Sequence, residues 1–130
     1  MSRLTHINAP NGVFPAAQYT HVVMGTGRFV AISGQLSLDK DGELVGEEDP
    51  ATQARQVFDN LWHCLVAAGG SFRDVVKLTY FVTDMAYMAD IRAARDTYMD
   101  PEHLPASSAV QVCALVSPKF LMEIEAYAVL

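Results

Sequence analysis

The chain has 130 residues, of which 51% are hydrophobic and 18% are charged. These proportions are typical of a single globular domain spanning residues 1–130, and they exclude wholesale disorder. Nine Lys and Arg residues stand against fifteen Asp and Glu residues, which makes the formal net charge -6, and the basic residues form no cluster. A surface that follows nucleic-acid phosphates needs such a cluster, so no nucleic-acid partner is expected.

Signals for membrane insertion, export and metal binding are missing from the sequence. No run of about eighteen apolar residues occurs, which excludes a membrane-spanning helix and argues against a membrane partner. The first residues lack the basic start and apolar stretch of a secretory signal, so a cytoplasmic protein is expected. Cys64 and Cys113 are isolated and are expected to be small buried hydrophobes. The four histidines lack the spacing of a zinc site, so no metal is expected.

The first third of the chain is predicted to form an irregular arm followed by a hairpin. Residues Met1–Ala17 contain two prolines and a glycine and predict the arm. Two β-rich runs, His21–Met24 and Arg28–Ser33, are separated by a short Gly-containing loop, which predicts that they pair as a hairpin. Gly34 then interrupts the strand pattern, which indicates a bulge or a close approach of the backbone to another group.

A first helix is predicted from Pro50 to about Ala68. Asp49 fits the N-cap, and proline is favoured at the first helical position. Gly69 and Gly70 supply the C-terminal stop. Between these signals the apolar residues recur at spacings of three and four, which predicts one buried stripe made of Ala54, Val57, Phe58, Leu61, Leu65 and Ala68.

A strand and a second helix are predicted next. The β-branched and aromatic run Asp74–Thr83 indicates a strand with Val76, Leu78, Tyr80 and Val82 on one face and Val75, Lys77, Thr79 and Phe81 on the other. The second helix is predicted over Met85–Met99 and ends before Asp100 and Pro101. Its inner stripe is predicted to contain Met85, Met88, Ile91, Arg95 and Tyr98, with only the stem of Arg95 flanking the core.

Two further strands, Ala109–Val116 and Leu121–Val129, are predicted to form a tight hairpin through residues 117–119. The last strand alternates, with Met122, Ile124, Ala126 and Ala128 on one face and Glu123, Glu125, Tyr127 and Val129 on the other. The predicted order is therefore ββαβαββ. It indicates an α+β fold in which two helices cover one face of a mixed sheet.

The other face of that sheet is predicted to mix apolar and charged residues. Two explanations are open. The face packs against copies of the same chain, with polar groups held in clefts between subunits. Alternatively, it faces solvent, which antiparallel sheets tolerate.

Five segments of the sequence, taken in order, resemble one known family. They are SGQ at Ser33–Gln35, QARQVFDNLWHCLVAAGG at Gln53–Gly70, VVKLTYFVTDM at Val75–Met85, PASSAVQV at Pro105–Val112 and MEIEAYAV at Met122–Val129. In these segments the chain is similar to the Rid family, also called the YjgF family or the reactive intermediate deaminases. The resemblance extends from about residue 7 to the end of the chain.

The resemblance implies a chorismate-mutase-like fold and a homotrimer whose sheets pack around a central barrel. It also implies three equivalent clefts, one at each subunit interface. The best-known members hydrolyse enamine and imine intermediates, released by pyridoxal-phosphate enzymes, to 2-oxo acids and ammonia. They use no metal or cofactor of their own. The expected partners are therefore two further copies of the chain and a small-molecule metabolite.

The resemblance also implies a set of site residues. Glu123 matches the family glutamate that orients water, and it is the predicted catalytic residue. Ser33 and Gly34 match backbone contacts to the substrate, and Tyr19 matches a tyrosine that lines the cleft. Residues Ser107 and Ala109 are predicted to contact the substrate from the penultimate strand, where Ser107 stands in the place of the arginine that clamps the substrate carboxylate in deaminase-type members.

Replacing that arginine by Ser107 has a chemical consequence. A guanidinium holds a carboxylate through two charge-assisted hydrogen bonds of roughly 1.5–3 kcal/mol each, and a hydroxyl cannot replace them. Activity on simple 2-imino acids is therefore expected to be weak or absent. Arg92 stands where many members carry an asparagine that lines the cleft, and it is predicted either to return a guanidinium to the cleft or to pair with Asp96 on the helix surface.

Three functional interpretations follow. The first is an imine or enamine deaminase, with an aminomuconate-type deaminase as a close variant. The second is a non-enzymatic ligand-binding or chaperone-like trimer that uses the same clefts. The third is action on nucleic acid, which the acidic balance disfavours.

Overall fold

The computed structural model describes residues 3–130 and has an α+β fold, as predicted. The main elements are β1 (Thr5–Ile7), β2 (Val22–Met24), β3 (Phe29–Gln35), α1 (Pro50–Ala68), β4 (Val75–Val82), α2 (Met88–Arg95), β5 (Ala106–Gln111) and β6 (Met122–Val129). Two 3₁₀ turns precede β4 and α2; they are Phe72–Asp74 and Met85–Tyr87, respectively.

A four-stranded mixed sheet forms the centre of the domain. Its strand order is β3-β6-β4-β5, in which β5 runs parallel to β4 and the other pairs are antiparallel. The predicted hairpin between the last two strands is therefore wrong, because β4 lies between β5 and β6. The helical connection from β4 to β5 explains this: a crossover of that length places the next strand parallel to the first.

The first predicted hairpin is also wrong. Strand β2 pairs with β1, which lies in the segment predicted to be irregular, and the two form a separate small sheet. Strand β3 instead pairs with β6. This pairing is extended by Arg28, whose backbone N–H donates to the carbonyl of Leu130 at 2.7 Å and whose carbonyl accepts from Leu130 at 2.9 Å.

Helix α1 begins and ends where the sequence predicts. The Asp49 side chain accepts a hydrogen bond from the Thr52 backbone N–H at 3.1 Å, and Gly69 ends the helix in the left-handed conformation with φ 87°. The predicted stripe is buried apart from Ala68, which is half-buried. Gln53 is also fully buried in α1 and was not predicted; its amide donates to the carbonyls of Gly46 and Lys119 at 3.0 Å each.

The core lies between the two helices and one face of the sheet. From β4 and β6 it receives Val75, Leu78, Tyr80, Val82, Met122, Ile124, Ala126 and Ala128. Val75 was predicted on the opposite face, but a register shift between Val75 and Lys77 turns it into the core, where it is 2% exposed. A bulge of this kind inverts the alternation of a strand, which sequence periodicity alone does not reveal.

Helix α2 is shorter than predicted. The chain enters it through the 3₁₀ turn, which the Asp84 side chain caps by accepting from the Ala86 N–H at 2.8 Å, and it ends at Arg95 rather than at Met99. Met85 is 44% exposed and so lies outside the inner stripe. Arg95 was predicted to flank the core with its stem, but the whole residue is only 3% exposed.

The helix-free face of the sheet is exposed in the single chain and mixes apolar with polar residues, as predicted. The rings of Phe29 and Tyr127 lie 5.4 Å apart on it, and Phe29 is 67% exposed. On the same face the Lys77 ammonium donates to the Ser108 hydroxyl at 3.0 Å. Contiguous exposed apolar area of this kind is typical of a surface that packs against another molecule.

The two cysteines differ in exposure. Cys64 is half-buried against the core, but Cys113 is exposed, so its predicted burial is wrong. The exposed position follows from the end of β5 at Gln111, since Cys113 lies in the irregular segment beyond it. Within residues 3–130, none of the helices combines the length and the apolar character needed to cross a membrane.

Candidate functional site

A cleft opens between β5, the helix α2 and the segment that precedes β2. In the parallel pairing of β5 with β4, Ser107 is the register partner of Leu78, and Ala109 is the partner of Tyr80. Because Leu78 and Tyr80 are buried beneath the helices, Ser107 and Ala109 lie on the helix-covered face of the sheet.

Four of the predicted site residues meet in this cleft, which has a volume of about 280 Å³. Ser107 and Ala109 form one wall, Arg92 of α2 forms another, and Tyr19 of the N-terminal segment forms a third. These residues are far apart in the sequence, so the crossover helix and the N-terminal segment must both pack against β5 to bring them together. We call this cavity the β5 cleft.

Arg92 lines the β5 cleft, and its charge acts on the buried Tyr80 hydroxyl. Arg92 is half-buried, and no carboxylate of residues 3–130 lies within ion-pair distance of it. The alternative that Arg92 pairs with Asp96 is wrong: Asp96 pairs with Arg95, with 3.0 Å between Arg95 Nη2 and Asp96 Oδ1. Asp96 pairs with Arg95 because Arg95 is the last residue of α2 and Asp96 follows it directly.

Six of the ten residues that line the β5 cleft were not predicted as part of the site, and three of them bear on its chemistry. Tyr80 and Arg95 line the β5 cleft together with Gln18. Burial raises the pKa of the Tyr80 hydroxyl, and the charge of Arg95 opposes that rise. A sequence signal did exist, because Arg95 interrupts an apolar stripe, and a charged residue at such a position needs buried partners.

Glu123 lies elsewhere, on the helix-free face. It is the register partner of Phe81 in β4, and its neighbours Met122 and Ile124 point into the core. The side chain is half-buried against Gly34 of β3, next to a register shift between Ile32 and Gln35. A Cβ atom on Gly34 would overlap the carboxylate of Glu123, so only glycine permits this contact.

Ser33, Gly34 and Glu123 therefore form a second group, which we call the Glu123 edge. Ser33 is exposed, and its carbonyl accepts a hydrogen bond from the Gln35 side-chain amide at 3.1 Å. The Glu123 edge and the β5 cleft are on opposite faces of one sheet. In the described part of one chain the predicted residues thus form two groups, and a site that includes both requires two chains.

A separate cavity of about 400 Å³ contains none of the predicted residues. His6 and His103 line it with their rings 5.5 Å apart, and His103 Nδ1 lies 2.9 Å from Asp100 Oδ2. Burial, and then the charge of His103, lower the pKa of His6. The hydrogen bond with His103, followed by one from the Glu102 backbone, lowers the pKa of Asp100.

Metal-binding geometry is not found in the described residues. Nowhere in residues 3–130 do three His, Cys, Asp or Glu side chains converge as a metal ion would require. What the site residues can do is bind an anion through Arg92 and hold a water molecule through the carboxylate of Glu123.

Comparison with known proteins places these features in context. A family model described as endoribonuclease L-PSP matches residues 8–130. A RutC family protein of Pyrococcus horikoshii is 40% identical over 123 residues, which cover 93% of this chain and 91% of the relative. A protein of Acinetobacter baylyi named 3-aminoacrylate deaminase RutC is 40% identical over 101 residues, covering 76% of this chain and 77% of the relative.

Among solved structures, a conserved Rid family protein of unknown function from Yersinia pestis superposes with a TM-score of 0.87. It is 36% identical in sequence, and the match covers 98% of this chain and 99% of that one. The similarity therefore extends over the whole fold described above.

Proposed function

Because the chain belongs to the Rid family, which is also described as endoribonuclease L-PSP, we propose that it binds a small anionic enamine or imine between two copies of the chain and hydrolyses it. The observation that carries the proposal is the guanidinium of Arg92, which faces the β5 cleft beside Ser107 without a carboxylate partner among residues 3–130. An enamine or imine of this class carries a carboxylate that Arg92 can bind.

Arg92 is the proposed anion anchor. Ser107 stands at the position where deaminase-type members carry the carboxylate-binding arginine, and its hydroxyl can donate only one neutral hydrogen bond. Arg92 reaches the same cleft from α2, and the fork of its guanidinium matches a carboxylate. The anion is then bound from the helix side of the cleft, which changes the substrates that fit and disfavours simple 2-imino acids.

The complete site is proposed to form in a homotrimer. The β5 cleft of one subunit would face the Glu123 edge of its neighbour, since the two groups lie on opposite faces within a single chain. The exposed Phe29 and Tyr127 on the helix-free face support such packing. A trimer would have three times the chain mass of 14.2 kDa in solution.

The proposed reaction uses Glu123 and one water molecule. An enamine first becomes the imine by taking a proton on carbon and releasing one from nitrogen. Glu123 accepts a proton from the water as the water oxygen bonds to the imine carbon, and passes that proton to nitrogen, which gives a carbinolamine. The hydroxyl proton of the carbinolamine then moves to nitrogen as the C–N bond breaks, so ammonia and a carbonyl product leave. General acid–base help of this kind contributes roughly 10²–10⁴-fold.

The Acinetobacter baylyi relative supports this substrate class. Its name specifies 3-aminoacrylate, an enamine that carries a carboxylate, and the match to this chain is 40% identical. An aminomuconate is a larger member of the same chemical class and is a second substrate to test. We expect the reaction to take place in the cytoplasm, without a metal, a cofactor or a nucleic-acid partner.

The test is an imine-trapping assay. Threonine dehydratase or an amino-acid oxidase generates the intermediate, semicarbazide traps it, and the purified protein competes for it; 3-aminoacrylate and 2-aminomuconate are tested in parallel. Wild-type protein should reduce trapping for at least one substrate, and Glu123→Gln and Arg92→Met should abolish the effect. Arg55→Met, which changes an exposed arginine of α1, is the matched control. Full activity of Arg92→Met would contradict the role of Arg92.

A non-enzymatic ligand-binding trimer is the second candidate, and Ser107 in place of arginine favours it. In that case the wild-type protein would leave trapping unchanged with every substrate. Calorimetric titration with 2-oxobutanoate would still detect binding, which Arg92→Met would weaken and Glu123→Gln would not.

A further inference from the structure

Arg95 is a buried cation whose hydrogen bonds converge on one residue of the N-terminal segment. Nη1 donates to the Gln18 backbone carbonyl at 2.9 Å, and Nη2 donates to the Gln18 side-chain oxygen at 2.8 Å. Nε donates to Asp96 at 3.0 Å. Arg95 is 3% exposed, and burying a guanidinium is costly unless its N–H groups are hydrogen-bonded. The bonds to Gln18 and Asp96 offset that cost.

The residue that Arg95 holds has an unusual backbone. Gln18 has φ 71°, in the left-handed region that residues other than glycine rarely adopt. Such a conformation persists only where surrounding contacts impose it. The two hydrogen bonds from Arg95 are contacts of this kind, since they bind the main chain and the side chain of Gln18 together.

Tyr19 follows directly and is fixed from its other side as well. The Thr20 hydroxyl donates to the Leu104 carbonyl at 2.5 Å, and the Thr20 N–H donates to the Pro105 carbonyl at 3.1 Å. The ring of Tyr19 packs edge-on against His21 with 5.2 Å between centroids. Tyr19 therefore stands in the β5 cleft between two anchored neighbours.

The anchor lies next to the floor of the cleft. Tyr80 of β4 is 2% exposed and lines the same cleft as Arg95, and the charge of Arg95 opposes the rise that burial causes in the pKa of Tyr80. We call the three residues Arg95, Asp96 and Gln18 the Arg95 latch.

We infer that Arg95 is a positioning residue: through Gln18 it holds Tyr19 in the β5 cleft and thereby sets the affinity for the substrate. The inference rests on the proposed function, because the affinity concerns the substrate of that cleft. The position of Tyr19, however, can be measured whether or not the cleft is catalytic.

The test uses protein labelled with 3-fluorotyrosine and observed by ¹⁹F NMR. The chain has five tyrosines, and the resonance of Tyr19 is assigned with Tyr19→Phe. In Arg95→Met that resonance should move toward the position of an exposed tyrosine. In Arg95→Lys it should move by a smaller amount, because an ammonium still donates to Gln18 but cannot hold both of its oxygens in one plane. Arg55→Met should leave it unchanged.

Gln18→Gly keeps the test decisive if Arg95→Met does not fold. Glycine adopts the left-handed backbone without strain but removes the side-chain acceptor. The latch predicts that the Tyr19 resonance moves in this variant too. An unmoved Tyr19 resonance in Gln18→Gly, or in folded Arg95→Met, would overturn the inference.

Kinetics with the substrate that the trapping assay identifies provide the second measurement. In Arg95→Met the loss of the charged hydrogen bonds that hold Gln18 and Tyr19 should raise KM by about tenfold or more and change kcat by less than about threefold. A fall in kcat at constant KM would contradict the positioning role. Inactive wild-type protein would instead refute the proposed function, and the ¹⁹F result would still decide whether Arg95 positions Tyr19.

Discussion

Ser107 and Glu123 lie on opposite faces of the same sheet, with β4 between their strands. Ser107 is in register with Leu78, whose side chain is buried under the helices, whereas Glu123 is in register with Phe81, which points to the helix-free side. Cross-strand partners share a face, so no side-chain rearrangement within one chain brings Ser107 and Glu123 together.

This relationship predicts subunit complementation. If Arg92 and Glu123 act across an interface, Glu123→Gln and Arg92→Met are each inactive alone. Mixed trimers refolded from equal amounts of the two variants contain clefts with both intact residues. A given cleft needs the right variant on each side, at a chance of one half for each, so activity should return to about one quarter of the wild-type value.

The trapping assay on the mixed and unmixed variants measures that recovery. Mixing Glu123→Gln with Glu123→Gln/Arg92→Met is the control and should restore nothing. Equal inactivity of both mixtures would place Arg92 and Glu123 in one chain's site or in none.

Gly34→Ala should disable Glu123 without removing it. The new methyl group overlaps the carboxylate, which has to turn away, and we expect kcat to fall by about tenfold to a hundredfold. Urea unfolding should show a loss of stability in the wild-type background and none in a Glu123→Ala background, where the overlap is gone. Equal losses in both backgrounds would mean that the methyl group meets something else.

Gln53→Leu should destabilise the fold. The side chain of Gln53 is fully buried, donates to two loop carbonyls and accepts from the Leu121 N–H at 3.0 Å. Leucine leaves the Lys119 carbonyl and the Leu121 N–H unpaired, while the Gly46 carbonyl keeps the bond from the Asp49 N–H. We expect this to lower the free energy of unfolding by about 2–4 kcal/mol.

Urea denaturation measures this loss of stability. The control is Gln111→Leu, which removes a single exposed hydrogen bond, the one from the Met85 N–H. A difference below about 0.5 kcal/mol between the two variants would refute the role of Gln53.

The lowered pKa of His6 makes stability depend on pH. Burial is the main cause, followed by the charge of His103, with Asp100 and Arg73 also lining the cavity. Between the lowered folded pKa and the unfolded value near 6.5, the unfolded chain binds more protons, so stability falls as the pH falls through this window. Urea unfolding at about pH 7.5 and about pH 5.5 should show a smaller decrease in His6→Gln than in wild type. NMR titration of His6 measures its pKa independently. An identical decrease in the free energy of unfolding in wild type and His6→Gln would contradict the contribution of His6.

Local signals predicted some elements well, and non-local pairing explains the errors. The bounds of helix α1 were predicted well because its N-cap, its apolar stripe and its terminal glycine lie close together in the sequence. The partners of β2 and β5 were wrong because strand pairing depends on which segments the helices bring together. The predicted face of Val75 was wrong because one bulge inverts the alternation of side chains in β4.

The site residues were predicted from the family resemblance and not from local patterns. The resemblance indicated Tyr19, Arg92, Ser107 and Ala109, and the structure brings them into one cleft, although their roles remain predictions. Arg95 was underestimated, since its partners at Gln18 lie 77 positions away in the chain.

The hydrogen bond from Thr20 to Leu104 spans 84 positions, and the bonds from Arg95 to Gln18 span 77. Contacts between such distant segments require closure of a long loop. The wall of the β5 cleft formed by the N-terminal segment should therefore assemble late during folding and come apart early on heating. A warmed molecule would then lose the proposed binding in the β5 cleft while its helices and central strands are still intact.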